Sequence, residues 1–444
     1  MFSYPLLRRA AAVIALAIPV AASGADEALE AQLEAMQERL GHLEQKIESQ
    51  EDELTNANQR LEAQQALIQR QGVALESTSG LASFLETLEI GGWVAASYFY
   101  NFNDPDGRAL GGSNTGGFAY PFRPDANSFS LDQVWIEVER PVSEENRAGF
   151  RLDFVYGKDA GLLSGDFGAG DGLSGNDFEL YQGYVQYLAP VGEGVTFQFG
   201  KFATLIGAEV VQSPYNFNIT RGHVYNLFQP ITHTGLLAST SVGGFDVALG
   251  AVNETRSFPA ADIDLNKDKA VLWSIGGAVG ETVSWSFNGA HGSSDSGLGF
   301  DAPAGDKETI LDFILGFDPT ENFSSYINAD YIETENSRGA DVDGWGIAVA
   351  GRYAFTERAG FAMRGEYVDL NDFFGAGADL TVWGITGTVD YKLTDHLMVR
   401  GEVRYDNIND GGDLFVDDES FAVGVADFDK DDQVTAGVEV VYSF

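Results

Sequence analysis

The sequence predicts an all-β fold, a transmembrane antiparallel β-barrel of about 16 strands, preceded by an α-helical coiled-coil segment. The first supporting observation is a change of hydrophobic period, from seven residues over 29–75 to two residues from position 89 onward. The second is that the connections between segments with a two-residue period alternate between short and long. The third is that several segments are apolar on one face and charged on the other.

Composition already excludes several classes of protein. The 444 residues include 67 acidic and 26 basic side chains, giving a formal net charge of −41. A nucleic-acid partner is therefore not expected, because phosphates need a basic face. The absence of cysteine excludes disulfides and thiolate zinc sites. A hydrophobic content of 44% and an aromatic content of 12% argue against a disordered acidic chain.

The N-terminus carries the pattern of an export signal. Arg8 and Arg9 precede an apolar stretch over 10–20, and small residues occupy 21–25. This order predicts a signal peptide over 1–25, although a retained N-terminal anchor is an alternative. The protein is therefore expected to be exported.

Residues 26–80 are predicted to form a coiled coil in the periplasm. One seam position is apolar in every heptad, and it is occupied by Leu33, Leu40, Ile47, Leu54, Leu61, Ile68 and Leu75. Such a period favours several supercoiled chains over a lone helix. A single solvated helix that folds back on its own barrel is the alternative. The seam does not choose between a dimer and a trimer.

The barrel is predicted to occupy residues 89–444. Alternation predicts strands over 89–100, 128–140, 148–157, 178–188, 194–202, 232–240, 244–253, 270–279, 282–292, 309–317, 323–333, 343–354, 360–369, 379–391, 396–407 and 434–444. Every second connection between them is short. In outer-membrane barrels the short turns face the periplasm and the long loops face outward.

Strand parity identifies candidate pore-lining residues. Phe150, Leu152 and Phe154 share one face of a strand, while Arg151 and Asp153 share the other. If the apolar face meets lipid, the charged face lines the pore. The predicted pore-lining set is Arg151, Asp153, Arg352, Arg364, Glu366, Arg400, Glu402 and Arg404. Structural ion pairs between adjacent strands are the alternative role for these side chains.

The connection over 203–231 is the longest and is rich in apolar residues. A freely solvated loop would not keep so many apolar groups. We expect it to fold into the lumen and narrow it, so that Asn216, Asn218, Arg221 and His223 face the solute. Packing of the loop on a neighbouring protomer is the alternative.

Two acidic clusters suggest weak binding of a divalent cation in the loops. They are Asp427, Asp429 and Asp431, and Asp262, Asp264 and Asn266. The glycine and the closing glutamate of a calcium loop are missing, so solvated acidic loops are the alternative. The sequence contains no nucleophile motif and no paired-histidine metal motif, so neither an enzyme nor a cofactor is expected.

Five stretches resemble the OmpL-like family of β-barrel porins: 98–105, 127–132, 149–154, 200–235 with Glu209, and 400–406. The resemblance implies a porin-type channel without naming its solute. Phe444 resembles the C-terminal signal that the outer-membrane assembly machinery reads. The coiled-coil leader resembles that of some trimeric porins, which favours a homotrimer.

The expected function is a passive diffusion channel for small hydrophilic solutes. The expected location is the outer membrane of a Gram-negative bacterium, with lipid around the barrel and the N-terminal segment in the periplasm. The alternative is a structural tether between the outer membrane and the cell wall, with a plugged or narrow barrel.

Overall fold

The structure is a computed structural model. It describes residues 84–103, 122, 127–163, 178–256, 267–294, 306–335, 341–373, 379–410 and 430–444, with scattered residues between 39 and 55. The chain divides into two units, Met1–Glu86 and Thr87–Phe444. The described residues between 39 and 55 are helical. The predicted signal peptide and most of the predicted coiled coil lie outside the described residues.

The second unit is a closed antiparallel barrel of 16 strands. In chain order the strands are β1 Glu89–Asn101, β2 Ser128–Arg140, β3 Ala148–Tyr156, β4 Phe178–Ala189, β5 Val195–Ala203, β6 Thr232–Val242, β7 Phe245–Val252, β8 Ala270–Val279, β9 Val283–Ser294, β10 Asp306–Phe317, β11 Phe323–Thr334, β12 Val342–Ala354, β13 Ala359–Asn371, β14 Leu380–Lys392, β15 Leu397–Asp410 and β16 Asp432–Ser443. The predicted barrel class and strand number are confirmed.

Each strand pairs with its neighbours in sequence, and β1 closes the barrel against β16. Tight turns join the strands at one end, which we call the short-turn end; the opposite end is the long-loop end. In the turn between β6 and β7, Gly243 and Gly244 have φ values of 60° and 87°. A two-residue hairpin turn of this kind needs positive φ at both positions, and glycine adopts it without steric cost.

The two faces of the wall differ as strand parity predicted. Outward side chains such as Met363, Val389 and Val403 are apolar and exposed, whereas the inward Arg364 and Arg404 are buried. Apolar outward residues suit contact with lipid. Among the described residues, no helix has both the length and the apolar character that crossing a membrane would need.

The connection between β5 and β6, residues 204–231, lies inside the barrel, and we call it the inward loop. It contains a 3₁₀ turn, Ser213–Tyr215, and a short helix, which is α2 because α1, Lys158–Leu163, precedes it in the β3–β4 connection. Helix α2 spans His223–Phe228 and buries five of its six side chains. It ends just before Pro230, which has no N–H to continue the helix.

An apolar core fills the long-loop half of the lumen. Val224, Leu227 and Phe228 of α2 belong to it. The inward wall residues that join them are Leu272, Ile310, Ile332, Val368, Leu370, Leu380, Val382 and Ile408, all buried. This differs from the expectation of a charged inner face along whole strands. Because the inward loop covers these wall residues, they do not face water.

Candidate functional site

The inward loop leaves the wall at β5 and first contacts the far side of the barrel at β10 and β11. The Gly207 N–H donates to Asp312 over 3.1 Å, and the Ala208 N–H donates to the amide oxygen of Asn328 over 2.8 Å. These bonds satisfy loop N–H groups that would otherwise be buried without partners. The loop is therefore fixed to the wall from its first turn.

Arg400 of β15 binds the middle of the loop. Its guanidinium donates to the carbonyl of Ser213 over 3.1 Å, to the Ser213 hydroxyl over 2.7 Å, and to the carbonyl of Asn216 over 3.0 Å. It also pairs with Glu439 of β16, with Nε 2.9 Å from the carboxylate. Arg400 is 2% exposed. One guanidinium thus joins two strands and the loop, which its fixed fork of donors permits.

Glu402 of β15 binds the next turn of the loop through hydrogen bonds to uncharged donors. Its carboxylate accepts from the N–H groups of Ile219 over 2.6 Å and Thr220 over 3.0 Å. It also accepts from the hydroxyls of Thr220 and of Thr388 in β14. Several donors aimed at one carboxylate stabilise its charge in a buried position.

A network of ions lies beneath the second half of the loop. Arg364 of β13 donates to Glu209 of the loop over 2.6 Å and lies 3.3 Å from Glu366. Arg404 of β15 lies 2.8 Å from Asp406 and 3.5 Å from Glu366. All five side chains are buried. Charges this deeply buried are tolerated because each one has an opposite partner.

His223 brings α2 into this network. Its Nε2 lies 2.7 Å from Asp406 and 3.0 Å from the guanidinium of Arg404. His223, Glu366 and Asp406 have ligand atoms within 4.8 Å of one another, which is a spacing a metal ion could bridge. Arg364 and Arg404 already supply positive charge to these carboxylates, so the arrangement is an ion-pair network.

Glu209 is the loop carboxylate in this network. Burial raises the pKa of Glu209, and the guanidinium of Arg364 opposes that rise. The N–H of Gly222 also donates to it, over 2.7 Å. A Cβ at Gly222 would lie 2.3 Å from the Glu366 carboxylate, so the loop approaches the wall this closely only through glycine.

Asp312 of β10 and Asp330 of β11 form a buried pair of carboxyl groups. They stand directly opposite each other in the ladder. The amide nitrogen of Asn328 lies 2.6 Å from Asp312 and 3.2 Å from Asp330, and it donates to both. Among the described residues, no lysine, arginine or histidine lies within 4.0 Å of either carboxylate. Two buried carboxyl groups this close cannot both ionise without strong repulsion, so the pair shares one proton.

The structure places the sequence-predicted loop residues against the wall. Asn216, Asn218, Arg221 and His223 are all buried, so they do not face an open lumen as the sequence predicted. Asn218 donates to Thr388 over 2.7 Å. The guanidinium of Arg221 donates to a loop carbonyl, and its Cζ lies 4.6 Å from the centroid of the Phe122 ring. Their polar groups hold the loop in position.

The predicted pore-lining residues fall into two groups. Arg364, Glu366, Arg400, Glu402 and Arg404 are buried beneath the loop, where they differ from the prediction of water-facing side chains. The reason is that the loop docks on this half of the wall. The second group lies at the short-turn end. There the guanidinium of Arg352 is 30% exposed and pairs with Asp390 at 2.5 Å, and Arg151 is partly exposed beside a buried Asp153.

A water-accessible region remains at the short-turn end, between the loop and strands β2–β8. Glu137 and Glu139 of β2 and Tyr215 of the loop face it. Small hydroxyl residues of β6–β8, including Ser239 and Ser274, line a groove of about 470 Å³ there. Sequence reasoning missed Glu137 and Glu139, although their alternation with Gln133 and Trp135 marks one face of a strand.

Comparison with known proteins gives one family match. The model of the family described as "Putative beta-barrel porin-2, OmpL-like" matches residues 87–444. No curated protein matches the sequence significantly.

Several solved structures share the fold. OmpT of Vibrio cholerae, in a trimer form, is 16% identical, with a TM-score of 0.53 over 81% of this chain and 99% of that chain. An anion-selective porin from Comamonas acidovorans is 13% identical, with a TM-score of 0.53 over 80% and 99%. The outer membrane channel DcaP of Acinetobacter baumannii is 13% identical, with a TM-score of 0.52 over 80% and 97%. At these identities the likeness concerns the fold alone.

Proposed function

This chain belongs to the OmpL-like family of β-barrel porins and is an outer-membrane porin, and on that premise we propose that small hydrophilic solutes diffuse passively through the part of the lumen that the inward loop leaves open. The observation that carries the proposal is the course of the loop. It leaves the wall between β5 and β6 and reaches Arg400 and Glu439 of β15 and β16. A loop that crosses the lumen narrows it.

The open side of the lumen suits polar solutes. Its described groove combines the hydroxyl groups of Ser239, Ser241 and Ser274 with the carboxylates of Glu193 and Asp246, and Glu137 and Glu139 are partly exposed on β2. Hydroxyl and carboxylate groups replace part of the hydration of a passing polar solute. We therefore assign solute passage to this region near the short-turn end, while the loop is anchored by residues of β2, β13, β15 and β16.

Single-channel recording in planar bilayers tests the channel. Tyr215, the 63%-exposed residue of the loop, should obstruct the remaining passage, so Tyr215→Ala should raise single-channel conductance. Leu249→Ala is the matched control, because Leu249 is 62% exposed on the outer face. Equal conductance in the parent, Tyr215→Ala and the control would refute the placement of the constriction. Swelling of porin-containing liposomes in neutral sugars of increasing size measures the cutoff.

The N-terminal region has a proposed role in assembly. Residues 1–25 act as a signal peptide, and residues 26–80 form a coiled coil in the periplasm that joins three protomers. The unbroken heptad seam supports this proposal, because heptads need partner helices. OmpT of Vibrio cholerae is described in a trimer form, which fits the same assembly.

A second candidate function is a tether between the outer membrane and the cell wall. The apolar core in the long-loop half of the lumen favours it, because such a core fills space that a wide pore would leave to water. The two candidates give different recordings. A pure tether produces no conductance steps, whereas a porin produces steps of constant size that follow voltage linearly.

A further inference from the structure

The inward arginines carry no free positive charge in the described part of the barrel. Each has a carboxylate within 4.0 Å: Arg151 and Asp153, Arg221 and Asp159, Arg256 and Glu308, Arg352 and Asp390, Arg364 and Glu209, Arg400 and Glu439, Arg404 and Asp406. Most of these pairs are also buried. A paired and buried cation contributes little field to a solute in the open lumen.

Water-accessible carboxylates in excess of their basic partners lie instead on β2 and β3, and Asp246 adds an exposed carboxylate in the groove. Arg151 is surrounded by three carboxylates, at 3.1 Å from Glu137, 3.1 Å from Glu139 and 2.9 Å from Asp153. Three negative charges and one positive charge leave a formal charge of −2. Glu137, Glu139 and Arg151 have about a fifth to a quarter of their side-chain surface exposed, whereas Asp153 is buried. The excess negative charge therefore faces water.

This cluster lies beside Tyr215, the most exposed residue of the inward loop. The ring of Tyr215 stands edge-on to Trp93, with centroids 5.5 Å apart. Burial against the wall and the charge of Glu137 together raise the pKa of Tyr215. Tyr215 and Glu137 are thus near enough to interact, and a solute that passes Tyr215 passes the glutamates. Charge located where a pore narrows has the strongest effect on ions.

We propose that Glu137 and Glu139 make the lumen select small cations over anions, a conclusion that rests on the proposed channel and names its solute class. Arg151 neutralises only one of the three carboxylates around it. Three arginines that strand parity predicted to line the pore, Arg364, Arg400 and Arg404, form buried ion pairs beneath the loop. The selectivity thus comes from Glu137 and Glu139 of β2, which lie nearer the short-turn end than Gln133, the residue of the same strand that binds the loop at Val211 and Ser213.

The expected size of the effect follows from Coulomb's law. One unit charge at about 7 Å in water changes the local concentration of a monovalent ion about threefold, and the change has opposite signs for cations and anions. Screening over about 10 Å at 0.1 M salt leaves much of this effect intact. Removing two carboxylate charges should therefore lower the cation-to-anion permeability ratio by at least about threefold.

The test is the zero-current potential of the full-length protein in a planar bilayer under a KCl gradient. The variant is Glu137→Gln with Glu139→Gln, which keeps side-chain size and removes mutual repulsion. The matched control is Glu144→Gln with Glu145→Gln, which removes the same charge from the exposed β2–β3 turn. We expect the parent and the control to favour potassium and the lumen variant to lose at least about threefold of that preference.

The outcomes separate the two proposals. Conductance steps with the same permeability ratio in the parent and the lumen variant would overturn the selectivity proposal and leave the channel standing. An equal change in the control and the lumen variant would also overturn it, because the effect would then follow total charge. A folded protein without conductance steps would overturn the channel and the selectivity proposal together.

Discussion

Arg400→Gln should release the inward loop. Arg400 joins Glu439 to the loop carbonyls of Ser213 and Asn216, and it is 2% exposed. Removing it leaves the carboxylate of Glu439 buried without its positive partner. Breaking a buried pair from one side costs about 3–5 kcal/mol. At about 1.4 kcal/mol per factor of ten, the population of barrels with an open loop should rise about 100-fold or more.

A cysteine probe measures that population directly, because the chain has no cysteine. Val211 of the loop is 1% exposed, so Val211→Cys should react slowly with a maleimide while the loop is docked. We expect Arg400→Gln in this background to accelerate labelling by about two orders of magnitude. Adding Glu439→Gln should recover part of the protection, because the double variant leaves no unpaired charge.

The matched control is Arg352→Gln. Arg352 also pairs with a carboxylate, Asp390, but its guanidinium is 30% exposed and its hydrogen bonds go to Asp390 and not to the loop. Exposed pairs contribute about 0–1 kcal/mol, so labelling should change little. The reasoning would be refuted if Arg400→Gln labelled no faster than this control, or if the double variant labelled faster than the single one.

Three further predictions follow from the ions and the heptads. Asp330→Asn should change the Tm little, because an amide can keep the hydrogen bond that a protonated Asp330 carboxyl gives to Asp312, and a Tm change of more than about 5 °C would contradict this. The pKa of Glu209 is raised above 4.5, so its contribution to stability is complete below pH 4.5 and is lost as the pH rises through the raised pKa. In Glu209→Gln the Tm should therefore depend less on pH across that window. An unchanged slope of Tm against pH would count against the raised pKa. Deletion of residues 26–79 should weaken the trimer in native mass measurements, and equally stable trimers would exclude a role for the heptads.

Strand parity predicted the barrel because the membrane imposes a simple rule on it. Residues such as Val403 and Arg404 alternate along β15 since one face meets lipid and the other meets the lumen. Each strand pairs with its neighbours in sequence, so local alternation was sufficient to predict the strand number and order. The apolar content of 203–231 likewise predicted that this connection is covered.

The roles of inward residues were not predictable in the same way. Strand parity predicts whether a side chain points inward or outward, but it does not predict whether the loop covers that side chain. Arg400 and Arg151 have the same parity, yet one is buried under the loop and the other is partly exposed. Partners such as Ser213 and Glu439 are 226 residues apart, and only the loop's path brings them together. Ile310 and Leu370 were missed as inward core residues because only charged side chains were chosen for the predicted pore-lining set.

The docked loop also sets an order of events in barrel assembly. The loop emerges after β5, but its anchors Arg364, Arg400, Glu402 and Glu439 belong to β13, β15 and β16, among the last strands of the chain. Contacts over such separations form late, because long chain segments must first be brought together. The apolar residues of α2 therefore stay uncovered until the final strands arrive. Closure of β1 on β16 and burial of the loop then become one cooperative step, so a barrel that seals without its loop would leave Glu402 and the guanidinium of Arg400 without the loop groups that they bind.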